Sequence, residues 1–91
     1  MPTGLKVYLG TIPDYTNSVR GVKLAGTKKG SPAERARLLA GDTIVEYGGN
    51  AINNIYVYYH ALEKSRPGAP VELVVIRSGR RMKIVAVPDP R

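Results

Sequence analysis

A chain of 91 residues, 43% of them hydrophobic, with a formal net charge of +7, has room for one globular core and little else. The absence of cysteine excludes disulfides and thiolate metal sites. The longest apolar run, Val71 to Ile76 interrupted by Glu72, is far too short to span a bilayer, so no membrane partner is expected.

Residues 5–12 alternate loosely and predict a strand that stops at Pro13, followed by a polar, turn-prone loop over 14–19. Val22 and Leu24 alternate about Lys23 in a second strand, 20–26, ended by Lys28-Lys29-Gly30. Ser31-Pro32-Ala33-Glu34 is a helix start: the Ser31 hydroxyl can accept from an orphan amide, proline suits the first helical position, and Glu34 completes a capping box. That helix is expected near 32–38, because Gly41-Asp42 follows. Thr43 to Tyr47 reads as a third strand, closed by the turn Gly48-Gly49-Asn50. Asn54 can cap a second helix running to about Ser65 and stopped by Arg66-Pro67-Gly68. Ile55, Tyr59 and Leu62 lie on one face of it, with Val57, Tyr58 and Ala61 beside them. Either a small domain buries most of this helix, or one stripe lines a groove. Finally, 71–77 and 80–87 are strands joined by Ser78-Gly79, a two-residue hairpin link. Both are apolar on both faces, which predicts central positions covered twice. Pro88-Asp89-Pro90 is expected to end the domain.

Catalytic patterns are missing. The single His60 sits in mid-helix, the serines stand in no nucleophile-elbow setting, and Asp14, Asp42 and Asp89 look isolated. One histidine without cysteine does not make a zinc constellation, and no glycine run has phosphate-loop spacing, so no cofactor is expected. The basic residues fall into two clusters, Lys28-Lys29 and the group Arg77, Arg80, Arg81, Lys83, with no tyrosine interleaved. Two small clusters are a poor nucleic-acid footprint compared with a continuous stripe, and nucleic acid ranks as a weak rival partner.

The order of elements and their motifs resemble PDZ domains. Tyr8-Leu9-Gly10-Thr11 stands where that family carries its carboxylate-binding loop. Gly30-Ser31-Pro32-Ala33 opening a short helix, Leu38-Leu39-Ala40-Gly41-Asp42-Thr43-Ile44, and Gly48-Gly49-Asn50-Ala51-Ile52 resemble its most recognisable stretch. The order is similar to the bacterial, circularly permuted form, with the loop near the N-terminus and residues 80–87 filling the place of the usual first strand. Modules of this kind occur in periplasmic serine proteases, and Leu9-Gly10-Thr11-Ile12-Pro13-Asp14-Tyr15 is also similar to PDZ segments appended to zinc-dependent aminopeptidases. The resemblance implies an α+β, mainly β fold: a partial barrel of five to six strands capped by two helices. It also implies one domain over 1–91 with its core at 5–87, belonging to a larger protein of the periplasm, cell envelope or exterior. The N-terminus itself, Met-Pro-Thr-Gly, carries no signal-peptide pattern.

By the same resemblance, the chain is not itself an enzyme but a binding module for a C-terminal peptide or an unfolded segment, serving an attached peptidase. Amides at Leu9, Gly10 and Thr11 would form a nest for a terminal carboxylate. The peptide would add as a strand beside Thr11 and Ile12, against Ile55, Tyr59 and Leu62 of the second helix, with Tyr8 at the loop. Leu9 and Leu62 would flank the pocket for the last side chain. Two positions depart from the family pattern. Pro13 lacks an amide where the groove strand should donate one, and Arg37 stands where glycine is usual. The first favours a rival role, packing against an attached catalytic domain without a free ligand.

Overall fold

The computed structural model describes residues 7–15 and 20–90. Alternating apolar residues, two capped helical stretches and a series of positive-φ turns generate β1 (Val7–Tyr8), β2 (Thr11–Pro13), β3 (Val22–Thr27), α1 (Pro32–Arg35), β4 (Thr43–Tyr47), β5 (Asn50–Ala51), α2 (Ile55–Glu63), β6 (Val71–Arg77), β7 (Arg80–Ala86) and β8 (Asp89–Pro90). Strands β2-β3-β4-β6-β7 follow one another in a six-stranded sheet, β5 adding to β4, while β1 and β8 form a separate pair. All pairings are antiparallel. The fold is thus α+β and mainly β, an open sheet with two helices. The polar loop read over 14–19 and the strand residues at 5 and 6 lie wholly or partly outside the described residues.

Helix starts follow the capping signals. The Ser31 hydroxyl accepts from the Glu34 amide at 3.2 Å, and the Glu34 carboxylate reaches back to the Gly30 amide at 2.8 Å. The reciprocal bond of a capping box therefore lands one residue early, because the Ser31 amide is already donated to the Lys28 carbonyl. Asn54 caps α2 by accepting from the Val57 amide at 2.9 Å. The hairpin is as short as its link implies: Arg77 pairs with Arg80, and Ser78 (φ 50°) and Gly79 (φ 77°) both take the left-handed conformation that a two-residue turn of this hand requires.

Four expectations need correction. The first strand does not run unbroken to Pro13: Gly10, at φ 85°, breaks it into β1 and β2, and β2 then includes Pro13. Proline is tolerated there because β2 is an edge strand, and an edge has one side without a ladder partner. The first helix ends at Arg35, short of residue 38, as Arg37 turns left-handed (φ 68°). Strand β7 is not central. Of the two hairpin strands only β6 lies between two partners, and β7 leaves Val85 57% exposed and Met82 36% exposed. An apolar pattern on both faces counts the apolar side chains without saying how many neighbours will cover them. Lastly, Asp89 and Pro90 do not end the fold but pair with Tyr8 and Val7, where the Asp89 carboxylate takes two hydrogen bonds of 3.0 Å from Arg35. The permuted order required residues 80–87 to share a sheet with the N-terminal strand region, and β7 and β2 are the two edges of one sheet.

The core lies between this sheet and α2. Leu24, Ile44, Leu73 and Val75 from the strands meet Tyr58, Ala61 and Leu62 from the helix, with Leu9 and Leu38 closing the ends. Arg37 forces a non-glycine residue into left-handed backbone at the exit of α1, a conformation that costs an L-residue on the order of 1 kcal/mol. Arg37→Gly is accordingly expected to stabilise the domain by about 0.5–1 kcal/mol. The Arg37 carbonyl, which accepts from Arg77 at 3.0 Å, survives the change. A urea midpoint that fell on substitution would show that the arginine side chain contributes more than its backbone strain costs.

Candidate functional site

A cleft of about 170 Å³ opens between the β1–β2 connection and α2. Its closed end is made by Tyr8, Leu9 and Gly10, its floor by Tyr58 and Leu62, and its open end by Pro13 and Tyr59, with Val7, Thr11 and Lys28 completing the lining.

The loop at the closed end is held by its carbonyls. Leu9 accepts from the Ala33 amide at 2.8 Å and Gly10 from the Lys28 amide at 2.9 Å. With both carbonyls turned toward α1 and the end of β3, the amides of this turn are left on the cleft side. The position of Gly10 admits no side chain. A Cβ there would stand 2.2 Å from the Ser31 Cβ and 2.5 Å from its Oγ, and Ser31 is itself buried. The helix cap of α1 and the loop thus share one small space.

Register decides which groups of β2 face the cleft. The Lys28-to-Gly10 bond and the pairings Thr11↔Thr27 and Ile12↔Gly26 turn the Gly10 carbonyl and the main-chain groups of Ile12 toward β3. Thr11 therefore presents its N–H and C=O to the cleft. After the register shift at Ile12/Pro13, Pro13 pairs with Leu24 and the Asp14 amide returns to the Lys23 carbonyl at 2.8 Å. Pro13 also faces the cleft, with a carbonyl and no amide.

Tyrosines dominate the helical wall. Tyr58 is fully buried, packs edge-on against Tyr47 with ring centroids 6.0 Å apart, and its hydroxyl meets Thr11 Oγ1 at 2.7 Å. Burial drives its phenol well above the usual tyrosine range, the Thr11 bond opposing this only in part. Tyr59 leans on Tyr58, and its hydroxyl meets that of Tyr15 at 3.0 Å. Burial first, and the Tyr15 bond second, push the Tyr59 phenol up to about 12. On the opposite rim, Lys28 Nζ stands 5.9 Å over the Tyr8 ring.

Of the residues singled out from sequence, Tyr8, Leu9, Gly10, Thr11, Tyr59 and Leu62 line this one cleft. Ile12 and Ile55 do not. Ile12 is the out-facing member of the β2 alternation and is 39% exposed, while Ile55 packs half-buried against the core one turn before Tyr59. Leu62 does double duty as core and cleft wall, at 6% exposure, so charging it would damage the fold as well as the cleft. Sequence reasoning missed Lys28 and Val7, which only tertiary pairing brings to the loop. It also set Tyr58 beside the groove rather than beneath it. The spacing 58, 61, 62 was the available signal, since these three are the buried residues of α2.

The isolated aspartates have partners too. Asp42, 1% exposed, receives Arg77 Nε at 2.8 Å and Nη2 at 2.7 Å together with the Leu39 amide at 2.9 Å. Arg81 pairs with Glu46, and Lys83 with Glu72 at 3.5 Å. Three of the four cations in the basic hairpin group are therefore matched by carboxylates, which weakens the electrostatic case for nucleic acid.

Comparison with known proteins agrees with this geometry. Residues 7–87 match the PDZ domain family. A DegP-like periplasmic serine endoprotease of Hahella chejuensis is 38% identical over 68 residues, 75% of this chain and 14% of that protein. One from Chlamydia trachomatis is 35% identical over 66 residues, 72% of this chain and 13% of the relative. A zinc metalloprotease of Vibrio cholerae is 30% identical over 79 residues, 87% of this chain and 16% of the relative. The chain thus spans less than a fifth of the length of each of these proteases. Among solved structures, the HtrA-type protease AlgW with decapeptide superposes with a TM-score of 0.84 at 23% identity, over 94% of this chain and 30% of that one. The HtrA3 PDZ domain bound to a phage-derived ligand gives 0.75 at 21% identity, over 94% and 88%. The chain belongs to the PDZ domain family.

Proposed function

We propose that this module binds the C-terminal tail of a polypeptide by strand addition along β2, on behalf of a protease in the same protein. The observation that carries the reading is the loop at Leu9-Gly10-Thr11. Its carbonyls are tied back to Ala33 and Lys28, its amide side opens on the cleft, and glycine at φ 85° makes a turn in which a Cβ would collide with the buried Ser31 behind it. The terminal carboxylate sits at those amides. The last side chain enters between Leu9 and Leu62 and is apolar, because both walls are. The residue two before it meets Tyr59 and Pro13 rather than Ile55. The names of the relatives support the protease setting and a periplasmic or cell-envelope location.

Binding is modest, with a dissociation constant on the order of 10 μM or weaker, because Pro13 withholds one main-chain bond and a short peptide loses its own freedom. Fluorescence polarisation with one labelled apolar-ended pentapeptide, as free acid and as C-terminal amide, tests the reading. The acid should bind and the amide should not. Equal binding of the two would remove the loop from the mechanism. No binding of any peptide from a C-terminal library would favour the other role open to the domain, docking on an attached catalytic domain. Pro13 is the residue that speaks for that role.

A further inference from the structure

We propose that Tyr15 and Tyr59 set the length of tail this module reads, by bridging the groove beyond Pro13 so that only the last three or so residues of a ligand lie flat along β2. The inference rests on the peptide-binding reading above and adds to it a pair of specificity-determining residues.

Two side-chain bonds join the β2 arm to α2. Thr11 Oγ1 meets the buried Tyr58 hydroxyl at 2.7 Å, and this bond belongs to the floor. Tyr15 OH meets Tyr59 OH at 3.0 Å at the exposed open end. Tyr15 follows Pro13 by two residues, and its ring, 71% exposed, is held out to a helix on the far side of the cleft. A tail starting at the loop and running along β2 advances about 3.3 Å per residue. From Thr11 to Pro13 it meets one N–H and two carbonyls, enough to pair with about three residues. The next residue would have to occupy the space that the two phenols span. Past Pro13, moreover, the Asp14 amide is already committed to Lys23 and is not offered to the tail.

An exposed hydroxyl pair is easily parted, because both groups can bond to water instead. The bridge is therefore a threshold and not a wall. Longer tails bind in the unmodified protein, but their extra residues add nothing, since what they gain in contact they lose in breaking the bridge.

The test uses the ligand-free protein and two free-acid peptides that share their last three residues, a tripeptide and a hexapeptide. In the native chain their dissociation constants should agree within about twofold. Tyr15→Phe and Tyr59→Phe keep the rings and remove one hydroxyl each. Either change should tighten the hexapeptide by about fivefold, the size of one net hydrogen bond, and leave the tripeptide unchanged. The double variant should gain no more than either single one. A urea-denaturation double-mutant cycle without peptide reports the bridge by itself, as a coupling between the two substitutions. Additive substitutions in that cycle, or a hexapeptide that already binds many-fold tighter than the tripeptide in the native chain, would overturn the proposal while leaving the peptide-binding reading intact. Failure of every variant to bind either peptide would overturn both.

Discussion

Gly10→Ala is expected to cost the domain about 2–4 kcal/mol and to abolish peptide binding. Two penalties add. Left-handed backbone costs an L-residue about 1 kcal/mol, and the new methyl group would stand 2.2 Å from the Ser31 Cβ and 3.2 Å from the Tyr8 hydroxyl, an overlap of the kind that costs about 1–3 kcal/mol in packed cores. Ser31 has no room to give, being 1% exposed and fixed as the cap of α1, whose next residues Pro32 and Ala33 are also buried. The internal control is Gly30→Ala. Gly30 has nearly the same dihedral, φ 76°, but a Cβ there meets nothing within 4 Å. It should lose only the backbone share, about 1 kcal/mol, and keep its ligand. Chemical denaturation of the two variants side by side separates packing from conformation, and equal losses would mean that the contact with Ser31 is relieved at little cost.

Removing Arg77 should be damaging although its side chain lies outside the hydrophobic core, and its damage should depend on pH. Arg77→Ala strands the Asp42 carboxylate, 1% exposed, with only the Leu39 amide to bond it, which is expected to cost about 3 kcal/mol at pH 7. Burial by itself would raise the Asp42 pKa, but the Arg77 hydrogen bonds, the Leu39 amide and the Arg77 charge together outweigh it and hold the group below its ordinary 3.8. A depressed carboxylate stabilises the fold above its unfolded pKa and ceases to do so as pH falls through the folded value. In Arg77→Ala, burial is no longer outweighed, so Asp42 favours protonation in the fold and the variant recovers relative to the native protein on acidification. The stability gap between the two should therefore be large at pH 7 and small near pH 3. A gap of the same size at both would mean that Arg77 acts through the packing of its stem, or through its bond to the Arg37 carbonyl, rather than through charge.

Local chemistry was well written in the sequence. Ser31 and Asn54 announce their helices by residue type, Ser78-Gly79 announces a tight hairpin, and Thr43–Tyr47 matches its strand to the residue. Arg37 in place of the family's glycine pointed to a strained turn, and φ is positive there. What could not be read were facts about partners. Nothing in Arg80–Ala86 distinguishes an edge strand from a central one, since that depends on whether another strand lies beyond it. Asp42 looks isolated because Arg77 is 35 positions away, and Lys28 reaches the loop only because β3 pairs back on β2. At the cleft, the family resemblance named Thr11 and Ile12 together, and of the two only Thr11 lines it. The family resemblance also placed Ile55 in the groove, where Tyr58 instead forms the floor and Tyr59 the open end.

The pairing of Val7 with Pro90 and Tyr8 with Asp89 has a mechanical meaning. It brings the two ends of the described chain to a single anchorage, so any pull or twist delivered through either flank acts on a clasp two residues long. Leu9 is the next residue. Tension at the anchorage and occupancy of the Leu9-Gly10-Thr11 turn are thus felt by adjoining peptide units, and Arg35, which grips Asp89 from α1, lies on the same line of load. A load borne at this clasp therefore reaches the turn without first crossing the six-stranded sheet behind it.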